Sequence, residues 1–164
     1  MELNNFQRIG SVSNAQVGSD FEKIALAYFT EQHFELELNH PLMVGVSSIK
    51  KDRKYDIGGK DNNGSPVIIE CKSHTWTGSG KTPSAKITVW NEAMYYFHLA
   101  PKEYRKIFFI LKDLHPKKMI SLGAYYIARN AHLIPEDVEI IEYDIELKAA
   151  TTLFGSTKDA MVRV

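Results

Sequence analysis

Asp56, Glu70 and Lys72 are the residues whose types and spacing could do chemistry together. Two runs of β-formers, Tyr55-Asp56-Ile57-Gly58 and Pro66 to Lys72, flank Asp61-Asn62-Asn63-Gly64-Ser65, the composition of a hairpin turn. If the loop is Asn62-Asn63-Gly64 with Gly64 in the left-handed position, Asp61 pairs with Ser65 and Asp56 falls opposite Glu70. Side chains alternate along a strand, so Glu70 and Lys72 share a face, and directly opposed residues share one too. A two-residue loop would shift the register by one and send Asp56 to the other face, unless a bulge restored it.

Two carboxylates held side by side repel, and a hard divalent cation with oxygen ligands keeps both ionised. Mg²⁺ fits that description, with Mn²⁺ as a substitute. It would take Asp56, Glu70 and the Cys71 carbonyl, and keep waters. Lys72, one pleat along, would reach an attacking water or negative charge developing on phosphorus. The competing reading is an ion-pair ladder on a hairpin surface. Val67-Ile68-Ile69 weighs against it, because a run that apolar suits a strand covered on both faces, where unpaired charges are costly.

An aspartate, a hairpin, and Glu70-x-Lys72 at the end of an apolar strand resemble the PD-(D/E)xK nuclease superfamily, with Tyr55 standing where the pattern has proline. The resemblance implies an α/β, restriction-endonuclease-like fold, a central mixed β-sheet flanked by helices in the order αβββαβ. It implies Asp56 and Glu70 as Mg²⁺ ligands, Lys72 in phosphodiester hydrolysis, and a first-helix glutamate behind the hairpin, a role Glu22 could fill. The expected function is a Mg²⁺-dependent endonuclease on DNA, of restriction, repair or resolvase type. Cutting both strands of a duplex would call for a second copy, hence a homodimer. The alternatives are a catalytically inactive nucleic-acid-binding or assembly domain of the same fold, and an RNA-directed nuclease.

The elements that must position these residues can be read from periodicity. Phe21, Ile24, Ala25, Tyr28 and Phe29 predict an amphipathic helix from Ser19 to about Gln32. Ser19-Asp20-Phe21-Glu22 also fits a capping box, which would compete for the Glu22 carboxylate. Phe34 to Leu38 and Leu42 to Ile49 read as two strands, followed by a basic loop, Lys50 to Lys54. Ser73 to Ser84 reads as a polar loop beside the site. Its Gly80-Lys81-Thr82 is no phosphate-binding P-loop, since Thr75 stands where the first glycine is required. Ile87, Trp90, Met94 and Phe97 predict a helix ending before Pro101, with Asn91, Glu92, Tyr95 and His98 on other parts of its surface, where some could face substrate. Lys106 to Leu111 reads as a buried strand reached by a right-handed crossover, hence parallel. Gly123 to Ala128 reads as a strand, Glu139 to Ile145 as an edge or hairpin partner, and the acidic stretch around them as solvated or a protein contact.

At 164 residues and 44% hydrophobic content, one domain is expected, residues 18–147, with an arm at 1–17 and a tail or dimer element at 148–164. A single cysteine excludes an internal disulfide and points to a reducing cytoplasm, and no apolar run has membrane-spanning length. The net charge of zero hides an uneven distribution: Ser47 to Lys118 holds 14 Lys and Arg against 7 Asp and Glu. That half offers Lys50, Lys51, Arg53, Lys54, Lys81 and Lys86 to a phosphate backbone, His74 to a phosphate or proton relay, and Trp76 to a base by stacking.

Overall fold

The structure, a computed structural model, describes residues 14–155. Helix α1 (Asn14–Thr30) is followed by strands β1 (Glu35–Val44), β2 (Lys51–Lys60) and β3 (Pro66–Lys72), helix α2 (Ser84–Leu99) and strand β4 (Arg105–Leu111). Helix α3 (Leu122–Asn130), a short 3₁₀ turn, and strands β5 (Val138–Asp144) and β6 (Ala149–Phe154) follow among the described residues. The six strands form one sheet in sequence order. The β3–β4 and β4–β5 pairs are parallel, and the other three are antiparallel.

The parallel centre is where the sequence is most apolar. Val67 to Ile69 and Ile107 to Leu111 are buried on both faces, as strands covered by helices on either side must be. One face packs Val67, Ile69, Ile107, Phe109 and Tyr143 against Phe21, Ala25 and Phe29 of α1. The other packs Ile68, Phe108 and Ile140 against Trp90, Met94 and Phe97 of α2 and Tyr126 of α3. The result is a mixed α/β fold in three layers, with α1 alone on one side among the described residues.

Several boundaries differ from the sequence reading. Helix α1 takes in residues 14–17 of the stretch expected to be an arm, the rest of which lies outside the described residues. The two strands expected around residues 34–49 are one, β1, running through Pro41. Because β1 lies at the sheet edge, a residue lacking an N–H costs nothing on the solvent side. The expected basic loop is already strand from Lys51 onward, paired with Val44.

Gly123 to Ala128 is helix, not strand. Ser121 caps α3 by accepting the Ala124 N–H at 3.1 Å. Ser121→Ala should lower the unfolding free energy by about 1 kcal/mol in denaturant melts, the usual worth of such a cap. Residues 138–144 form an internal strand between β4 and β6, so the only sense in which the expectation holds is the hairpin with β6. Of the acidic stretch from Asp137 to Glu146, Glu139 and Glu142 are buried, while Asp137 and Glu146 at its ends are exposed. Glu139 is buried and takes both Arg105 Nε (2.7 Å) and Nη2 (3.0 Å). Ala149 to Phe154, in the expected tail, is the edge strand β6.

Candidate active site at the parting of β2 and β3

The hairpin that sets the register has the three-residue loop. Asp61 N–H donates to Ser65 O at 2.8 Å, Gly64 N–H to Asp61 O at 3.0 Å, and Gly64 has φ 80°. The Asp61 carboxylate fastens the turn by accepting the N–H groups of Asn63 and Ser65, both at 2.9 Å. Pairing then runs from Lys60↔Pro66 to Ile57↔Ile69, which makes Asp56 and Glu70 the next opposed residues.

At that point the ladder changes character. Asp56 Oδ2, a side-chain atom, accepts the Cys71 N–H at 2.8 Å. Tyr55 packs on the α2 side, its hydroxyl donating to Tyr96 O at 2.8 Å, while Ile57 packs on the α1 side. Residues two apart on a regular strand share a face, so alternation breaks at Asp56. Asn39, across from it on β1, has φ 55°, a left-handed conformation that lets the edge strand follow the distortion. A strand residue's N–H and C=O point to the same side, so the Cys71 carbonyl faces the gap its N–H faces.

Glu70 is 1% exposed and holds two cations: Arg53 Nη2 donates to Oε1 at 3.0 Å, and Lys72 Nζ lies 3.5 Å from Oε2. Burial pushes the Glu70 carboxyl well above the usual range and the Asp56 charge pushes the same way, against Lys72 and Arg53. Glu22 is also raised, first by burial, then by Asp56, with Lys72 opposing. Asp56 and Lys72 are thus the charges that act on Glu22. The competing capping-box reading fails, because Ser19 sits inside α1 rather than at its N-terminus.

Arg53 was expected on the phosphate backbone, but the fold aims it at Glu70. Its guanidinium lies 3.8 Å from the Tyr96 ring centroid and 5.5 Å from that of Tyr55. Extending β2 back to Lys51 in the sequence would have put Arg53 on the face of Tyr55 and hinted at this. Lys51 and Lys54 are exposed, whereas Lys50 donates to Gly45 O at 2.8 Å and so secures its own turn.

Trp76 cannot stack on a base. It is buried, its backbone N–H donates to Asp113 Oδ2 (2.8 Å) and its indole N–H to Asp113 O (3.2 Å), and His115 and Tyr125 pack edge-on against it. This bond anchors the 73–83 loop to the end of β4. His74 accepts the Trp90 indole N–H on Nδ1 at 2.7 Å, and burial, helped by Lys86 and Lys72, lowers its pKa to about 4. The imidazole is therefore neutral at ordinary pH, with Nε2 carrying the proton. Proton NMR should show no His74 titration between pH 5.5 and 9. Lys81 and Lys86 are exposed.

Among the described residues, no group of three or more His, Cys, Asp or Glu side chains is arranged to hold a metal ion. The oxygen set at the gap is instead two carboxylates and a main-chain carbonyl. Hard oxygen donors in that number suit Mg²⁺, which binds through one or two carboxylates and keeps waters. No helix among these residues is long and apolar enough to cross a membrane.

No protein-family model matches the chain. No curated protein matches it either. Among solved structures, that of SSO0001 is similar over 92% of this chain, with a TM-score of 0.34 and 12% identity. The chain spans 57% of that protein's length, and the likeness is too loose to carry fold or function across.

Proposed function

We propose that this protein is a Mg²⁺-dependent endonuclease of the restriction-endonuclease-like fold, hydrolysing phosphodiester bonds in DNA. The observation that carries the reading is the approach of Asp56, Glu70 and Lys72 where β2 and β3 part, with Asp56 bonded to the Cys71 N–H and Lys72 Nζ 3.5 Å from Glu70. A buried Glu70 beside a half-buried Asp56, with a lysine two residues along the strand of Glu70, makes poor sense as scaffold. Desolvated carboxylates that repel each other cost stability, and perturbed groups of this kind cluster at functional sites. The order α1-β1-β2-β3-α2-β4 is that of the αβββαβ core.

In this reading Asp56 and Glu70 hold the ion, with the Cys71 carbonyl as a third oxygen. When bound, the ion neutralises phosphate charge and activates water. Lys72, released from Glu70, is left to orient water or to stabilise the charge growing on phosphorus. Glu22, whose pKa burial and the Asp56 charge raise, is the further ligand or orienter of water in this proposal.

The test is incubation of purified protein with supercoiled, linear, branched and single-stranded DNA, and with RNA, in Mg²⁺, Mn²⁺ or EDTA. Metal-dependent cleavage of DNA, lost in Lys72→Ala by about a hundredfold or more, is expected. Cleavage of RNA alone would move the substrate. No cleavage with any of them, alongside retained nucleic-acid binding, would favour the inactive binding domain.

A further inference from the structure

A groove of about 630 Å³ opens beside the site, between the β1–β2 hairpin and the exposed side of α2. Its volume lies in the range of about 300–1,000 Å³ typical of pockets that enclose one small ligand. The hairpin wall is built rather than slack. Gly45 is pressed so close to Ile49 that an added Cβ would stand 2.2 Å from the Ile49 carbonyl oxygen, and Lys50 closes the turn onto Gly45 O. That turn holds Val46 and Ile49 outward, 73% and 82% exposed. Tyr95 of α2, 53% exposed, stands on the opposite wall. Aliphatic side chains held in water by an ordered turn, facing an exposed aromatic ring, mark a contact surface.

The rim of this groove is cationic, with Lys51 and Lys54 outweighing Asp52, and one lining residue reaches Glu70. The link is Arg53. Its guanidinium donates to Glu70 on one side and covers the ring of Tyr96, a lining residue, on the other. Glu70 and the groove are thus separated by one planar group.

We propose that this groove receives an unpaired nucleotide of the DNA strand being cut, its base between Tyr95 and the Val46–Ile49 turn and its phosphates along Lys51 and Lys54. The inference deepens the nuclease reading and rests on it for the position of the scissile bond. The groove's volume, that of a site for one small ligand, favours a single nucleotide over intact duplex. Stacked, paired bases present only their edges, whereas an unpaired base can enter a pocket and give both faces to aromatic and aliphatic walls. Charge at the rim with apolar surface inside is the division that a nucleotide requires. The substrate class is DNA with a single-stranded, frayed or branched region next to the cut.

Binding can be measured apart from catalysis. The full chain carrying Asp56→Asn, in EDTA, is titrated into fluorescein-labelled 12-mers as single strand, as blunt duplex and as RNA, followed by anisotropy. Single-stranded DNA should bind at least tenfold tighter than duplex. Tyr95→Ala and, independently, Ile49→Ser should each weaken single-strand binding about fivefold or more while leaving duplex within twofold, both side chains being exposed and dispensable for folding. Equal affinity for single strand and duplex, or single-strand affinity indifferent to both substitutions, overturns the proposal. RNA bound tighter than DNA overturns the choice of strand. A single-strand preference that responds to Tyr95→Ala, in a wild-type chain that cuts nothing, would sink the nuclease reading and leave the groove standing.

Discussion

Asp56→Asn should leave the fold intact and abolish metal-dependent cleavage, whereas Asp56→Ala should damage both. The carboxylate has two duties at the point where the sheet opens. One is structural, since Oδ2 accepts the Cys71 N–H at 2.8 Å, closing a ladder position that the β2 main chain has abandoned. An asparagine carbonyl oxygen can accept the same bond. Alanine cannot, and a buried N–H left without a partner costs about 1–3 kcal/mol. The other duty is charge. An amide oxygen is a neutral, weaker ligand, and the negative charge beside Glu70 that calls for a cation disappears with it. The expected pattern is therefore a melting temperature close to wild type for Asp56→Asn and several degrees lower for Asp56→Ala. Cleavage should fall by about a hundredfold or more in both. Equal destabilisation in the two would mean that the charge, not the acceptor, holds the strands. Residual cleavage in Asp56→Asn would remove this residue from the metal site.

The sequence made the hairpin legible because turn chemistry is local. Asp61, Asn62, Asn63 and Gly64 specify one loop length, and loop length fixes which residues face each other many positions away. The apolar runs of β3 and β4 and the stripe of α2 were legible for the same reason. What failed was context set by distant chain. Nothing local announces that Trp76 is swallowed by Asp113, His115 and Tyr125, so its ring looked available for stacking when the exposed aromatic by the site is Tyr95. Gly123 to Ala128 carries aromatic and β-branched residues that suit a strand, and the Ser121 cap with packing of Tyr126 onto Trp90 and Phe108 decides for helix. Glu139 reads as a surface residue until Arg105, from another strand, is seen to pair with it. Arg53 is the most instructive case. Clustered with Lys50, Lys51 and Lys54 it looked like one more phosphate contact, and only the register of β2 turns it inward to Glu70.

Glu70→Gln should make the metal-free protein more stable at alkaline pH while removing its response to Mg²⁺. Glu70 is the most deeply buried member of the acid group, and burial with the Asp56 charge pushes its pKa up to about 8 despite Lys72 and Arg53. The folded chain therefore holds this proton more tightly than the unfolded chain does. The stability contributed is complete below the unfolded value of 4.5 and is lost as pH rises to about 8. Wild type in EDTA should thus lose melting temperature between pH 5 and 9 by more than Glu70→Gln does. The two proteins should converge near pH 5, where glutamic acid and glutamine are both neutral and both can accept from Arg53. The sign of the margin at pH 9 follows from burial and the Asp56 charge, which outweigh Lys72 and Arg53. A divalent ion reverses the balance in wild type alone, because it stabilises the ionised pair. Millimolar Mg²⁺ should raise the wild-type melting temperature at pH 8–9, raise it less at pH 6, and leave Glu70→Gln unmoved at either. If Glu70→Gln instead melts lower than wild type at pH 9 in EDTA, the carboxylate is working as a structural partner of Arg53 and Lys72. The cost attributed to its burial, on which its assignment to a metal site depends, would then be absent.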